Sequence, residues 1–279
     1  MKRWRVNLGW VLLAWLPAPL SAQVAVGSDV VMRSMHVWRG VTRSSRPVLQ
    51  PSLFAAWQPY GWTVTAGIWS SSELGGLEAG HLTDAGADRH HAEINYWLEG
   101  HTRIDGIDLR LGTVRFDLRG DSLRSGRSNT FDTGEVYGAV MVPITDLTLV
   151  GAALAYDYDA VRGAYLALQG QHHAPFLSLP SLMASLVLTA DAGFTLGQET
   201  DPERLTEVGY FADRGLTHVT VSTALRVTFE RVGAFLGGSF QFNEDAAARR
   251  IRFAERNWRK SWLEAGVSLL VGPSARERR

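Results

Sequence analysis

The sequence predicts an all-β chain: a transmembrane antiparallel up-and-down β-barrel of about twelve strands that follows a cleaved signal peptide. Three observations lead to this fold class. Apolar residues recur with a period of two along most of the chain. Short and long connections between the apolar segments alternate, as in bacterial outer-membrane barrels. The first residues also have the pattern of an export signal.

The first residues have the pattern of a secretory signal. Lys2, Arg3 and Arg5 form a positive region, an apolar stretch follows over residues 10–16, and small residues precede Gln23. A retained N-terminal anchor is the alternative, although the stretch is short for a membrane-spanning helix. We therefore predict three regions: a signal peptide over residues 1–22, an outer-membrane barrel over 23–272 and a charged tail over 273–279.

Composition narrows the function classes. The 28 basic and 28 acidic residues give a formal net charge of zero, which argues against a nucleic-acid binder because such proteins carry a basic excess. The chain contains no cysteine, so disulfides cannot stabilise it. These features are typical of a single β-rich domain of moderate size.

The period of two is clearest in residues 217–229, where Val219, Val221, Leu225 and Val227 share one face and polar residues occupy the other. Residues 92–104, 182–194 and 263–271 repeat the alternation. Each segment is long enough for a tilted strand to cross a bilayer. Twelve strands are predicted over residues 26–39, 47–58, 62–72, 92–104, 107–118, 132–143, 147–158, 163–174, 182–195, 216–229, 232–243 and 258–271.

The connections are of two kinds. Tight turns are predicted at Pro59-Tyr60-Gly61, Asp105-Gly106, Ile144-Thr145-Asp146 and Glu230-Arg231, and the long connections are residues 73–91, 119–131, 196–215 and 244–257. An even strand count puts both termini on the short-turn, periplasmic side. The sheet must close because lipid offers no partners to its edges. A soluble β-sandwich is the alternative for the alternation alone.

Two local features complete the strand assignment. Aromatic residues gather near segment ends, as in the interfacial girdles of outer-membrane barrels. They are Trp38, Trp57, Trp62, Trp69, Tyr156, Tyr158, Phe194, Phe242 and Trp258. In residues 107–118 the apolar face changes phase after Leu111, and we predict a β-bulge near Gly112-Thr113 that restores it.

The first connection is basic and abrupt, and we expect residues 40–46 to join two strands at the outer rim. The segment HVWRGVTRS and the later TAGIWSSS also carry a recognisable motif. The matching positions are Trp38, Arg39, Gly40, Thr42, Ser44, Pro47, Gly67, Trp69 and Ser70. This stretch resembles the N-terminal signature of the TorF-type porin family, and the resemblance implies an outer-membrane location and a pore.

Two motifs suggest other chemistry. Residues 120–123 spell the GDSL of a serine esterase family, but no later histidine follows an aspartate at the required spacing, so we expect no catalytic role for Ser122. The pairs His90-His91 and His172-His173 could ligate a metal. Neighbouring side chains on a strand point to opposite faces, however, and the pairs lie at opposite rims, so we predict no metal site and no cofactor.

Charged and polar residues opposite the apolar stripes are the candidate pore lining, since charges on the lipid face are costly. They are Glu93, Asn95, Glu99, His101, Arg103, Asp108, Arg110, Glu135, Arg226 and Glu264. They line either a wet channel or a closed polar core. We expect a passive pore for small hydrophilic solutes in the outer membrane, not an enzyme, with lipid and lipopolysaccharide as surroundings and no nucleic-acid partner. An outer-membrane enzyme such as a lipid-modifying hydrolase, a non-conducting structural barrel and a homo-oligomer stay open.

Overall fold

A computed structural model describes residues 24–59, 61–74, 92–119, 130–198, 214–243 and 259–272. These residues contain fourteen β-strands, of which twelve form one closed antiparallel barrel and two form a separate short hairpin. The strands are β1 (Val24–Arg33), β2 (His36–Trp38), β3 (Val41–Ser44), β4 (Val48–Trp57), β5 (Trp62–Glu73), β6 (Ala92–Ile104), β7 (Ile107–Arg119), β8 (Thr130–Thr145), β9 (Thr148–Asp157), β10 (Gly163–Ser178), β11 (Leu182–Gln198), β12 (Gly215–Phe229), β13 (Val232–Asn243) and β14 (Arg259–Val271).

Closure follows from the pairing of the first barrel strand with the last. β1 pairs with β14 on one side and with β4 on the other, and every other barrel strand pairs with its neighbours in the chain. No backbone edge of the sheet is therefore left open, which is the condition for a sheet surrounded by hydrocarbon. The predicted twelve-stranded up-and-down barrel is confirmed.

The described part of the chain contains no helix that is long and apolar enough to cross a membrane.

One end of the barrel carries tight turns, and we call it the turn end; the opposite end is the loop end. Asp105 and Gly106 both have positive φ, at 50° and 84°, as expected for a two-residue type I′ hairpin turn. Glu230, with φ of 49°, begins another tight turn between β12 and β13. The predicted tight connections lie at this end, while most residues of the predicted long connections lie outside the described ranges.

The two faces of the wall differ as the alternation predicts. Large apolar side chains point outward and are exposed, for example Leu111 at 66%, Leu236 at 62% and Leu263 at 68%. Inward positions carry many polar side chains that are buried within the barrel, such as Gln50, Glu135 and Gln241. The apolar exterior and polar interior are the reverse of a soluble domain and are typical of a membrane barrel.

The predicted bulge near Gly112-Thr113 is wrong. β7 keeps an uninterrupted register with both β6 and β8 across these residues. Val114 and Phe116 therefore point into the barrel, while Arg115 points outward. Phe116 is only 6% exposed and meets the ring of Trp38 edge-on, at 5.7 Å between centroids. The apolar phase changes because an internal aromatic contact, and not lipid, covers this end of the strand.

The predicted strand over residues 26–39 is also wrong in its second half. β1 ends at Arg33, and residues 34–47, which we call the plug hairpin, carry the β2–β3 pair. This hairpin folds into the loop end of the barrel and does not form a simple turn at the rim. Trp38 and Trp69 consequently lie inside the barrel and not in an outer girdle. Trp57 and Trp62 do occupy outward positions at the turn end.

Candidate functional site: a hairpin anchored inside the barrel

The tip of the plug hairpin is a two-residue turn at Arg39 and Gly40. Trp38 pairs with Val41, and the two residues between them have φ of 48° and 89°. Positive φ at both central positions is the geometry of a type I′ turn, which glycine adopts readily at its second position. The glycine at the tip therefore has a conformational reason.

Arg39 fixes the tip to the barrel wall through Glu135 on β8. Its Nη1 and Nη2 donate to the two carboxylate oxygens at 2.6 and 2.7 Å. The Glu135 side chain is 2% exposed. The guanidinium also lies over the rings of Trp38, at 4.5 Å, and Tyr165, at 4.3 Å. The bidentate pairing compensates both charges, and the two aromatic rings cover the guanidinium. The carboxylate is thereby neutralised at a position that water barely reaches.

The carbonyl oxygen of Gly40 is the second anchor. It accepts hydrogen bonds from Lys260 Nζ and Asn243 Nδ2, both at 2.8 Å, and from Gln241 Nε2 at 3.3 Å. All three donors lie on the lumen face of β13 and β14 and are buried. This one carbonyl oxygen therefore binds three side chains that lie at least 201 positions after Gly40 in the chain.

These anchors were not predicted from the sequence, although one signal was present. Lys260 is one of only two lysines in the chain, the other being Lys2. It occupies an inward position of the last strand, where a cation needs a partner. The partner could not be inferred from sequence, because it is a backbone oxygen in a distant turn.

A histidine forms the seat beneath Gly40. A methyl group added at Gly40 would come within 3.1 Å of the His218 ring. Asp191 lies 2.9 Å from His218 Nε2, and Thr217 lies 3.0 Å from its Nδ1. Tyr165 stacks on the same ring, at 6.3 Å between centroids and 9° between planes. The ring is thereby held on three sides.

This group brings a hydroxyl, an imidazole and a carboxylate together, but its geometry is not that of a nucleophile. The Thr217 side chain is fully buried, and its hydroxyl donates to the Gly193 carbonyl at 2.9 Å. A hydroxyl buried in this way cannot reach a substrate, as a nucleophile must. The arrangement supports the hairpin tip and does not resemble a hydrolase triad.

The base of the plug hairpin is bound to the opposite wall. His36 is 3% exposed, lies within 3.4 Å of the Ser71 hydroxyl and meets Trp69 edge-on. Gln50 donates to the same hydroxyl at 3.3 Å. The hairpin therefore crosses the lumen. Its base contacts β4 and β5, and its tip contacts β8, β10, β12, β13 and β14.

A cavity of about 540 Å³ lies on the turn-end side of the plug hairpin. On β7 and β8 the lining residues Val114 and Tyr137 lie two positions further towards the turn end than the hairpin contacts Phe116 and Glu135. Trp69 on β5 lines the cavity and also contacts His36 of the hairpin. Four aromatic rings, one carboxylate and three neutral polar side chains dominate the lining. The lining residues are Asp29, Ser52, Phe54, Thr65, Trp69, Asn95, Trp97, Val114 and Tyr137.

All ten residues predicted to line a pore occupy inward positions of their strands, and they separate into small groups. At the loop end Asn95 donates to Glu93 at 2.9 Å, and Glu135 binds Arg39. Nearer the middle Tyr137 donates to Glu99 at 2.9 Å. Further groups are His101 and Arg103 with Asp108, Arg33 with Glu264, Arg226 over the Phe235 ring, and Arg110 in register with His101.

The remaining sequence candidates add no site within the part of the chain that the structure describes. Ser122, His90, His91 and Trp258 lie outside the described residues. His172 and His173 follow each other on β10 and so point to opposite faces of the wall. Within the described ranges, no group of three or more potential metal ligands comes together.

The fold, unlike the sequence, has recognisable relatives. No protein-family model and no curated protein matches the sequence. Among solved structures, LpxR from Salmonella typhimurium aligns over 87% of this chain and 99% of its own, with a TM-score of 0.53 and 10% identity.

An outer-membrane channel from Pseudomonas putida F1 aligns over 91% of this chain and 97% of its own, with a TM-score of 0.49 and 10% identity. At such identities the likeness concerns the fold. The chain has the architecture of bacterial outer-membrane barrels.

Proposed function

We propose that this chain is an outer-membrane channel through which small hydrophilic solutes diffuse, and that the plug hairpin forms its narrowest part. The observation that supports the proposal is the cavity of about 540 Å³ inside a charged lumen. A purely structural barrel of this size would need side chains to fill that space. Charged side chains such as Glu99, Asp108 and Arg226 face the lumen on the turn-end side of the hairpin, as a path for hydrated solutes requires.

The proposal includes a location in the outer membrane with the loop end facing outward. The outward apolar side chains would contact lipid hydrocarbon. Arg115 and Asp159 form an ion pair on the outer surface near the loop end. Such charges belong outside the hydrocarbon layer, and they would lie among the polar head groups of lipopolysaccharide.

We assign no catalytic role to the lumen. Enzymatic hydrolysis needs an accessible nucleophile next to a base, and the hydroxyl beside His218 is fully buried. A fold shared with LpxR carries no chemistry by itself.

The test is to remove the constriction without disturbing the wall. Arg33 and Val48 are a directly paired position of β1 and β4, so residues 35–46 can be replaced by Asn-Gly, a dipeptide that forms tight hairpin turns. In planar bilayers we expect small channel steps from the wild type and larger steps from this variant. A matched control replaces residues 35–46 by twelve Gly and Ser residues, which keeps the length but none of the anchors.

Absence of channel steps from both the wild type and the Asn-Gly variant would contradict the proposal and leave a non-conducting structural barrel. Equal step sizes for the two proteins would show that the plug hairpin is not the constriction.

A further inference from the structure

The cavity beneath the plug hairpin has a composition that selects a ligand class. We propose that it binds small organic cations bearing methyl groups, meaning quaternary or tertiary ammonium compounds, as they pass through the channel. This inference rests on the proposed function, since it names the class of solute that the channel would favour.

The aromatic rings form one wall of the cavity. Phe54 lies over Gly27, Trp97 over Gly67 and Tyr137 over Gly112, each in the position that a methyl group on the glycine would occupy. A ring that covers a glycine on the adjacent strand lies along the barrel wall and turns its other face to the lumen. Aromatic faces attract cations through the negative charge density above the ring, most strongly for tryptophan.

A carboxylate adjoins the rings. Asp29 lies in one row with Ser52, Trp69 and Asn95 across four neighbouring strands. Its Oδ2 accepts a hydrogen bond from Ser52 at 3.1 Å. Among the described residues no basic side chain lies within ion-pair distance of Asp29, and none lines the cavity.

The other carboxylates around this level are already engaged. Glu135 binds Arg39. Glu93 accepts a hydrogen bond from Asn95, and Glu99 accepts one from Tyr137, both at 2.9 Å. Asp29 is therefore the carboxylate that is placed to compensate a cation in the cavity.

The volume and the polarity of the cavity restrict the ligand further. A volume of about 540 Å³ falls within the range of small-molecule sites. Ser52, Thr65 and Asn95 supply neutral hydrogen-bonding groups for a hydroxyl or carbonyl on the same ligand. An inorganic cation would keep its water and gain little from four aromatic rings, whereas a methylated ammonium sheds water readily and fits both the rings and the carboxylate.

The test compares choline with 3,3-dimethyl-1-butanol, which replaces the ammonium nitrogen by carbon and keeps the shape. Binding is measured by calorimetry on the full barrel in a polyoxyethylene detergent, because amine-oxide and phosphocholine detergents would compete. We expect choline to bind roughly tenfold more tightly than the alcohol. Asp29→Asn and Trp97→Leu should each remove most of that preference. Asp146→Asn, in a turn, and Trp62→Leu, on the outer face, are the matched controls and should leave it unchanged.

Equal affinity for choline and the alcohol would overturn the proposal, because the cavity would then recognise only shape. Glucose binding as tight as choline binding, dependent on Trp97 but not on Asp29, would overturn it in favour of sugars. No binding heat in a barrel that still gives channel steps would refute the ligand class and leave the channel intact. Choline binding in a protein without channel steps would refute the channel and leave the site.

Discussion

The Arg39–Glu135 pair holds the plug hairpin in place, and Arg39→Ala should release it. The substitution removes a bidentate ion pair and two contacts between the guanidinium and aromatic rings. It leaves the carboxylate of Glu135, 2% exposed, without its cation. Breaking a buried pair in this way costs about 3–5 kcal/mol.

The substitution should destabilise the docked state of the hairpin and leave the stability of the barrel unchanged. None of the ladder hydrogen bonds between barrel strands involves the tip, so the wall can persist when the tip leaves. At about 1.4 kcal/mol for each factor of ten, the ratio of undocked to docked hairpin should rise by roughly 10² to 4 × 10³.

Trypsin cleavage after Arg43 reports the undocked state, because the hairpin must leave the lumen before a protease can bind it. Cleavage in detergent, followed by mass spectrometry, should accelerate in proportion to the undocked population while opening and closing are fast. The double variant Arg39→Met with Glu135→Leu removes both charges and keeps apolar contact, so its cleavage should be much slower than that of Arg39→Ala. If Arg39→Ala were cleaved after Arg43 at the wild-type rate, the assignment of this pair as the main anchor would be refuted.

Three further predictions concern the seat of the hairpin, the barrel wall and the esterase-like motif. Gly40→Ala should destabilise the docked hairpin by about 1–2 kcal/mol, because alanine is strained at φ of 89° and its methyl group meets His218, and the rate of cleavage after Arg43 should rise accordingly. Leu168→Arg, on the outward face, should lower the free energy of unfolding in lipid by about 2–4 kcal/mol, whereas Gln169→Arg, on the lumen face of the same strand, should leave it nearly unchanged; equal losses would contradict the assignment of faces. Ser122→Ala should change neither channel conductance nor any esterase background, and loss of an esterase activity would assign a role to that motif.

The sequence by itself determined the barrel. Alternation with a period of two is a local pattern, so the apolar face of each strand can be identified from its own residues. Twelve such strands separated by turn signals are typical of an outer-membrane barrel. The inward positions of Glu99, Arg226 and Glu264 follow from the same alternation. A two-residue turn such as Asp105-Gly106 is likewise recognisable from its own residues.

Only the tertiary structure decided what lies inside the barrel. The sequence predicts a strand up to residue 39 and a rim loop over residues 40–46, because the anchors of the plug hairpin, Glu135 and Lys260, are about 100 and 220 residues away in the chain. The apolar face of β7 changes phase after Leu111, and the sequence predicts a β-bulge there. Sequence alone cannot distinguish a shifted register from an inward Phe116 that packs against Trp38. The cavity beneath the hairpin is formed by six different strands. Closure of the sheet brings these residues together, and local periodicity carries no information about which inward side chains will meet across a lumen.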